Sequence, residues 1–303
     1  MAMYAKDDIR STLATAAPAV TVDPSTPIKP SQWIEFFALD PTEVGTHGSR
    51  TWNARAVNLV VSYTVAKAGD VFTRTDQPDE YAVLMYSESA PIRVAAGGES
   101  VDVAEEAFVV VPPGDSSIEV VGDGILIRLF STVADDLREG SLNARAYDEP
   151  DLRATPLEPW PDPVGGFRLR VYKLADTPIA PGRFGRIFRT TNLMVNFLAE
   201  EPGPRDKHKL SPHFHDDFEQ LSLAVKGSFV HHIRYPWGPD SDQWRPDESR
   251  QIATPSICII PPPTIHTTQG IGSHQQLIDI FSAPREDFSA SGWVLNADDY
   301  PAK

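Results

Sequence analysis

The chain has 303 residues, 41% of them hydrophobic, enough to bury a sizeable core and more than one typical domain requires. A formal charge of -15 and 28 prolines imply an acidic surface and well-punctuated loops, so neither nucleic acid nor an anionic membrane is an expected partner. The single cysteine, Cys258 in the apolar run "SICII", excludes an intramolecular disulfide and reads as a buried core thiol.

Residues 1–30 read as a loosely ordered arm, because "TAAPAVTVDPSTPIKPS" mixes prolines with small residues and has no periodicity. Asp7 and Asp8 stand where a secretory signal needs positive charge, and no run approaches the roughly 18 apolar residues of a membrane span. A cytoplasmic location is expected. Residues 31–145 then carry short β-branched and aromatic runs separated by Gly, Pro, Asp or Ser: "AVNLVVSYTV" (56–65), "EYAVLMY" (80–86), "PIRVAA" (91–96), "EAFVVVP" (106–112), "SIEVVG" (117–122) and "GILIRLFS" (124–131). Such a density of short strands implies a sandwich or barrel. A connector rich in proline and acid follows, with one helical turn near "ADDLREG". The domain over residues 146–303 holds a second series: "FRLRVYKL" (167–174), "NLMVNFLAE" (192–200), "QLSLAVKG" (220–227), "SFVHHIRY" (228–235), "SICIIP" (256–261) and "QQLIDIFS" (275–282).

The two series align as copies of one unit. Setting "PHFHDDFEQLSLAVKG" on "FTRTDQPDEYAVLMYS" places His213 on Thr73, His215 on Thr75, Gln220 on Glu80 and Gly227 on Ser87. "IIPPPTIH" falls on "VVPPGDSS", so His266 meets Ser117. All three histidine positions are therefore non-histidine in the first copy, which is expected to be structural.

The second copy resembles a cupin. That family's first motif is His-x-His, a Glu four or five residues on, and a Gly after six more; its second is Pro-x-Gly, two residues, then His. His213-x-His215, four residues, Gln220, six residues and Gly227 match the first, with Gln in the acidic slot. Pro261-x-Pro263-x-x-His266 matches the second, with Pro263 in the glycine slot. The resemblance spans residues 30–130 and 165–285 and implies an all-β bicupin of two tandem jelly-roll barrels, the first degenerate and the second metal-binding.

Strand geometry alone also points to a metal. Residues two apart share a face, so His213 and His215 present two imidazoles to one side, and His266 arrives from a neighbouring strand after the proline turn. Three imidazoles with an amide or carboxylate oxygen suit one divalent transition metal per chain, Fe, Mn, Ni, Zn or Cu, better than Mg or Ca, and the resemblance to cupin dioxygenases makes Fe the first choice. Parity places Gln220 with Ser222 and Ala224 on the small, polar face and Glu219 with the apolar face; a bulge at the strand start reverses the choice. With Gln220 the site is neutral apart from the ion, which favours an anionic small-molecule substrate.

The remaining candidates carry ordinary structural readings beside the functional ones. His231 and His232 point to opposite faces of one strand, so at most one reaches the cavity. His47, His208 and His274 read as solvated loop residues. Arg186, Arg189 and Arg234 could clamp a carboxylate, though each taken singly reads as a surface ion pair. "YPWGPDSDQWRPDESR" (235–250) reads as a hairpin tip, with a lid or a homodimer contact as the functional choices. Resemblance to three-histidine cupin dioxygenases implies Fe(II) and a chelating enolate, phenolate or carboxylate substrate. Resemblance to uronate isomerases implies a non-redox reaction on a keto sugar acid, with His232 or Glu219 as the catalytic base. A ligand-binding cupin without turnover is the third class.

Overall fold

The structure, a computed structural model, describes Tyr4, residues 8–13 and residues 20–303; the alanine-rich stretch before Pro18 lies outside the described residues. Nearly all regular structure is strand, as the sequence implies. Four sheets stack in layers: a four-stranded sheet, a seven-stranded sheet, a six-stranded sheet and a three-stranded sheet. The first two enclose a continuous apolar interior that includes Phe72, Val83, Val94, Val109, Ile118 and Phe130. The two large sheets face each other across a second apolar layer drawn from both halves, among them Trp52, Leu84, Phe108, Phe188, Leu221 and Ile278. Between the six- and three-stranded sheets the apolar contacts break into small clusters, and the space between them is polar.

Strands rich in β-branched and aromatic residues form where the sequence places them, for example Leu59–Ala66, Ala107–Val111 and Gln220–Lys226. The helical turn near "ADDLREG" is the helix Asp135–Glu139. Strands without a clear sequence signal are the polar ones. Val71–Gln77 buries only Phe72 and Gln77, while Thr73 and Thr75 face solvent, so little of its face is apolar.

Chain boundaries and barrel boundaries differ. The strand Gln32–Glu35, expected in the first barrel, pairs with Ser256–Ile260 of the second. Conversely Arg170–Lys173, expected to open the second series, pairs with Ala107–Val111 of the first. Each half thereby covers the outer edge of a large sheet in the other, which removes a row of unpaired backbone groups.

The seam between the barrels is built twice, from one set of residues in each half. Arg55-x-Val57-Asn58-Leu59 recurs as Arg189-x-Thr191-Asn192-Leu193, and Leu142-Asn143-Ala144-x-x-Tyr147 as Leu295-Asn296-Ala297-x-x-Tyr300. Asn143 accepts from the Arg55 amide and donates to its carbonyl, both at 2.8 Å; Asn296 does the same to Arg189 at 3.0 and 2.8 Å. Across the seam Glu219 accepts from the Val57 amide at 2.6 Å and from the Tyr147 hydroxyl at 3.2 Å. Glu80 accepts from the Thr191 amide at 2.6 Å and from the Tyr300 hydroxyl at 3.1 Å. Each glutamate thus ties its own strand to the backbone of the other half.

Burial raises the pKa of both carboxylates, that of Glu219 from 4.5 to about 7. Between those values the folded protein holds a proton that the unfolded chain has released, so stability is greatest at the acid end of the window and is lost as pH rises through about 7. At about 1.4 kcal/mol per pKa unit, Glu219 accounts for roughly 3–4 kcal/mol of this loss across the whole window, and for about 2 kcal/mol of it above pH 5.5. Urea unfolding at pH 5.5 and 8.5 should show Glu219→Gln losing less stability with pH than the parent. Identical slopes for the two proteins would remove Glu219 as the titrating group.

Candidate metal centre

The three motif histidines meet at the mouth of the second barrel. His213 and His266 form an antiparallel bridge, with backbone N–H···O distances of 3.0 and 2.7 Å. Their ring centroids are 4.4 Å apart, and that of His215 lies 5.1 and 5.2 Å from the other two. All three are buried, and one ring nitrogen from each lies within 4.8 Å of the others.

Local backbone selects the ring nitrogen that faces inward. Nδ1 of His213 lies 2.9 Å from the Ser211 carbonyl, and Nδ1 of His266 lies 2.9 Å from the Thr264 carbonyl. A carbonyl only accepts, so Nδ1 carries the proton in both and Nε2 keeps a lone pair. Nε2 of His266 is buried with no hydrogen-bond partner among the described residues. Burial also holds all three rings well below the ordinary imidazole pKa, His266 at about 4, with the neighbouring cations and rings acting in the same direction on His213 and His215. The imidazoles are therefore neutral near pH 7, the form that ligates a metal.

Gln220 opens the strand Gln220–Lys226 facing the same space, its Oε1 2.7 Å from Nε2 of His215. Its amide nitrogen donates to Ser222 Oγ and to Asp279 Oδ1, each at 3.1 Å, which turns the oxygen toward the histidines. Three imidazole nitrogens and one neutral amide oxygen fit a divalent transition metal, and the partnerless Nε2 of His266 is the buried group that such an ion would satisfy.

The other expected site residues lie elsewhere. Glu219 occupies the opposite face of the strand, in the seam, bonded to Val57 and Tyr147. His232 points out of the barrel, 2.8 Å from Ser249 Oγ. His231 is the inward member of that pair, fully buried against Thr268 Oγ1 at 3.0 Å. Neither Glu219 nor His232 is therefore placed to act on a ligand among the three histidines. Arg234 pairs with exposed Asp247, Arg186 donates to the Thr177 carbonyl, and Arg189 lies in the seam over Trp160. His47 and His274 sit beside Asp70 and Glu200 on loops. In the 235–250 hairpin Trp237 and Trp244 stack at 4.1 Å and remain exposed.

The copy-to-copy alignment shifts by one residue. Arg74 pairs with Ser116 as His213 pairs with His266, and both face the interior of the first barrel; Thr73 and Ser117 pair on its outer face. Tyr81 opposes Val111 as Gln220 opposes Ile260, so Tyr81 rather than Glu80 takes the Gln220 position, and its hydroxyl bonds Ser116 at 3.0 Å. Asp279 lies in "LIDIF" where the first copy has Arg128 in "LIRLF". Arg128 is buried over the Phe72 ring at 4.3 Å. A fixed cation and a tyrosine where the second barrel has a carboxylate and an amide make the first interior unfit for a metal ion.

Four residues near the histidines had no place in the motif reading. Asp279 is half-buried, and desolvation of its carboxyl raises it to about 6; its signal is a lone charge at an inward parity position in an apolar strand. Arg285 lies over Phe218, Phe281 and Phe288 and pairs with Asp287. Tyr4 and Arg10 come from the N-terminal arm and contact His213. No local pattern marks an arm that docks from some 200 positions away.

No family model matches the chain, and no curated protein matches it. Solved structures share its shape. The oxalate decarboxylase of Lactobacillus farciminis, in a formate complex, has a TM-score of 0.55 at 14% identity, covering 90% of this chain and 92% of that one. A variant of the Bacillus subtilis oxalate decarboxylase has a TM-score of 0.52 at 15% identity over 82% of this chain and 76% of that one. A cupin 2 conserved barrel domain protein from Leptotrichia buccalis aligns over 87% and 99% of the two chains at 10% identity, with a TM-score of 0.47. The fold is that of a two-barrel cupin.

Metal content of the parent protein should lie near one ion per chain and fall towards zero in His213→Ala, His215→Ala and His266→Ala. Gln220→Ala should weaken metal affinity about ten-fold, and Glu219→Ala should leave it unchanged. A larger loss in Glu219→Ala than in Gln220→Ala would reverse the assignment of the fourth donor.

Proposed function

We propose that this chain is a metal-dependent enzyme that acts on a small, anionic, chelating substrate at one site in the second barrel. His213, His215 and His266 hold a divalent transition metal there, with the Gln220 amide oxygen as fourth donor. The observation that carries this reading is the convergence of three buried, neutral imidazoles, two of them oriented by backbone carbonyls. A bound ion supplies Lewis-acid polarisation and, with iron as the preferred metal, the redox chemistry of an oxygen-dependent cleavage.

The chain's own residues set the conditions for that chemistry. All donors are neutral, so the charge of a divalent ion is left uncompensated, and Arg10 and Arg285 add to the positive field felt by the histidines. That favours an enolate, phenolate or carboxylate. Phe218 stacks on His215 at 4.4 Å and Phe281 meets it edge-on at 5.9 Å, walling that side of the site against water. Asp279 holds the Gln220 amide in place, and with a pKa near 6 it is the inward carboxyl able to hold or pass a proton near neutral pH. His232 and Glu219, expected as the base of an isomerase, lie away from the three histidines, and Asp279 is the carboxyl beside them that an isomerase would use. The oxygenase reading is preferred because three neutral imidazoles leave the charge of an iron ion for a chelating substrate to meet.

Iron-reconstituted protein should consume oxygen with at least one member of a panel of 1,3-diketones, hydroxybenzoates, catechols and small dicarboxylates. The panel includes oxalate because enzymes that act on it share the fold. Turnover of a keto-uronate under anaerobic conditions would replace the oxygenase with the isomerase, and silence in both assays would leave a ligand-binding cupin.

A further inference from the structure

Tyr4 and residues 8–13 of the N-terminal arm lie against the second barrel beside His213. Leu13 packs against the apolar cluster that contains Ile187, Phe288 and Trp293. Arg10 lies over the rings of Phe184 and Tyr4, at 5.4 and 4.6 Å from their centroids. Tyr4 in turn stacks on His213, with ring centroids 5.3 Å apart. Asp8 accepts from Nε and Nη2 of Arg10 at 3.0 and 2.7 Å, which fixes the guanidinium and leaves Nη1 aimed at Nε2 of His213, 3.3 Å away.

That nitrogen is the one a metal requires. His213 donates from Nδ1 to Ser211, so its Nε2 carries a single in-plane lone pair. The lone pair serves either the Arg10 N–H or a metal ion. The guanidinium itself does not depend on His213 for its position, because Asp8 and the two rings hold it from other sides. Once His213 is ligated, a charged donor therefore stays at the mouth with its former acceptor withdrawn. Asp279, the carboxylate within the cavity, is engaged by Gln220 and Ser222. A small carboxylate entering beside the metal matches the released N–H in charge and hydrogen-bonding capacity.

We propose that Arg10 exchanges partners, capping the His213 lone pair until a metal ion takes it and then donating to a small carboxylate bound at that metal. This rests on the metal-dependent reading above and makes the arm, which belongs to neither barrel, part of substrate recognition. Two variants separate its effects. Arg10→Ala removes both the competing donor and the anion contact. Leu13→Ala keeps the charge and removes the arm's apolar anchor.

Co²⁺ affinity measured by competition with a chromophoric chelator should rise about ten-fold in Arg10→Ala, and acetate affinity of the Co²⁺-loaded protein, followed by visible absorption, should fall about ten-fold. Leu13→Ala should move both quantities in the same directions by smaller factors. A gain in Co²⁺ affinity confined to Arg10→Ala would reduce the effect to charge repulsion and overturn the exchange, as would unchanged acetate affinity in Arg10→Ala. Parent protein that takes up no Co²⁺ would instead remove the metal reading and this proposal with it.

Discussion

The anchoring of Glu219 in the seam is the constraint on which the polar interior of the second barrel depends. Its carboxylate is held by the backbone amide of Val57 and the hydroxyl of Tyr147, both in the other half of the chain. Successive side chains in a strand point to opposite faces, so a glutamate committed to the seam sends the next residue, Gln220, into the cavity. The same device acts in the first half, where Glu80 is held by Thr191 and Tyr300 and Tyr81 is sent inward. The contact that joins the barrels therefore also sets the parity of the strand that carries Gln220.

Given that shared frame, the two interiors differ through a handful of substitutions on one backbone plan. His213, Gln220, His266 and Asp279 occupy the places of Arg74, Tyr81, Ser116 and Arg128. In the first barrel the arginines bring their own cationic charge, Arg74 paired with Asp136 and Arg128 lying over Phe72, and a continuous apolar core fills the remaining space. In the second the apolar core is broken into three small clusters, and between them Gln220, Ser222 and Asp279 bond one another and His215 while Nε2 of His266 is left without a partner among the described residues. The first barrel fills its interior with an apolar core, and the second places buried imidazoles and an amide there.

Positive charge beside the three histidines comes from outside the barrel strands. Arg10 arrives on the N-terminal arm and Arg285 on the segment after the last strand, each oriented by a carboxylate two residues away in sequence, Asp8 and Asp287. Aromatic rings cover both guanidiniums. The strands thus supply the scaffold, and two flanking segments bring guanidiniums to the histidines of the second barrel.

The sequence by itself determined the strand-rich architecture, the duplication and the three histidines, because these are written in local composition and in spacing along short segments. Period-two alternation also placed Gln220 rather than Glu219 on the histidine side. The alignment of the copies was legible only to within one residue: "PHFH" and "FTRT" are short and dissimilar, and one position of slip exchanges the inner face for the outer, which is how Thr73 stood in for Arg74 and Glu80 for Tyr81. The repeats that build the seam, Arg-x-x-Asn-Leu and Leu-Asn-Ala-x-x-Tyr, are as visible in the sequence as the histidine motif but suggest no chemistry until the halves are seen in contact. Tertiary structure alone decided the exchange of edge strands between barrels, the retreat of Glu219 and His232 from the cavity, and the approach of Arg10 to His213. Each of these joins residues far apart in the chain, and which surfaces meet is set by the packing of whole sheets, a property that no single segment carries.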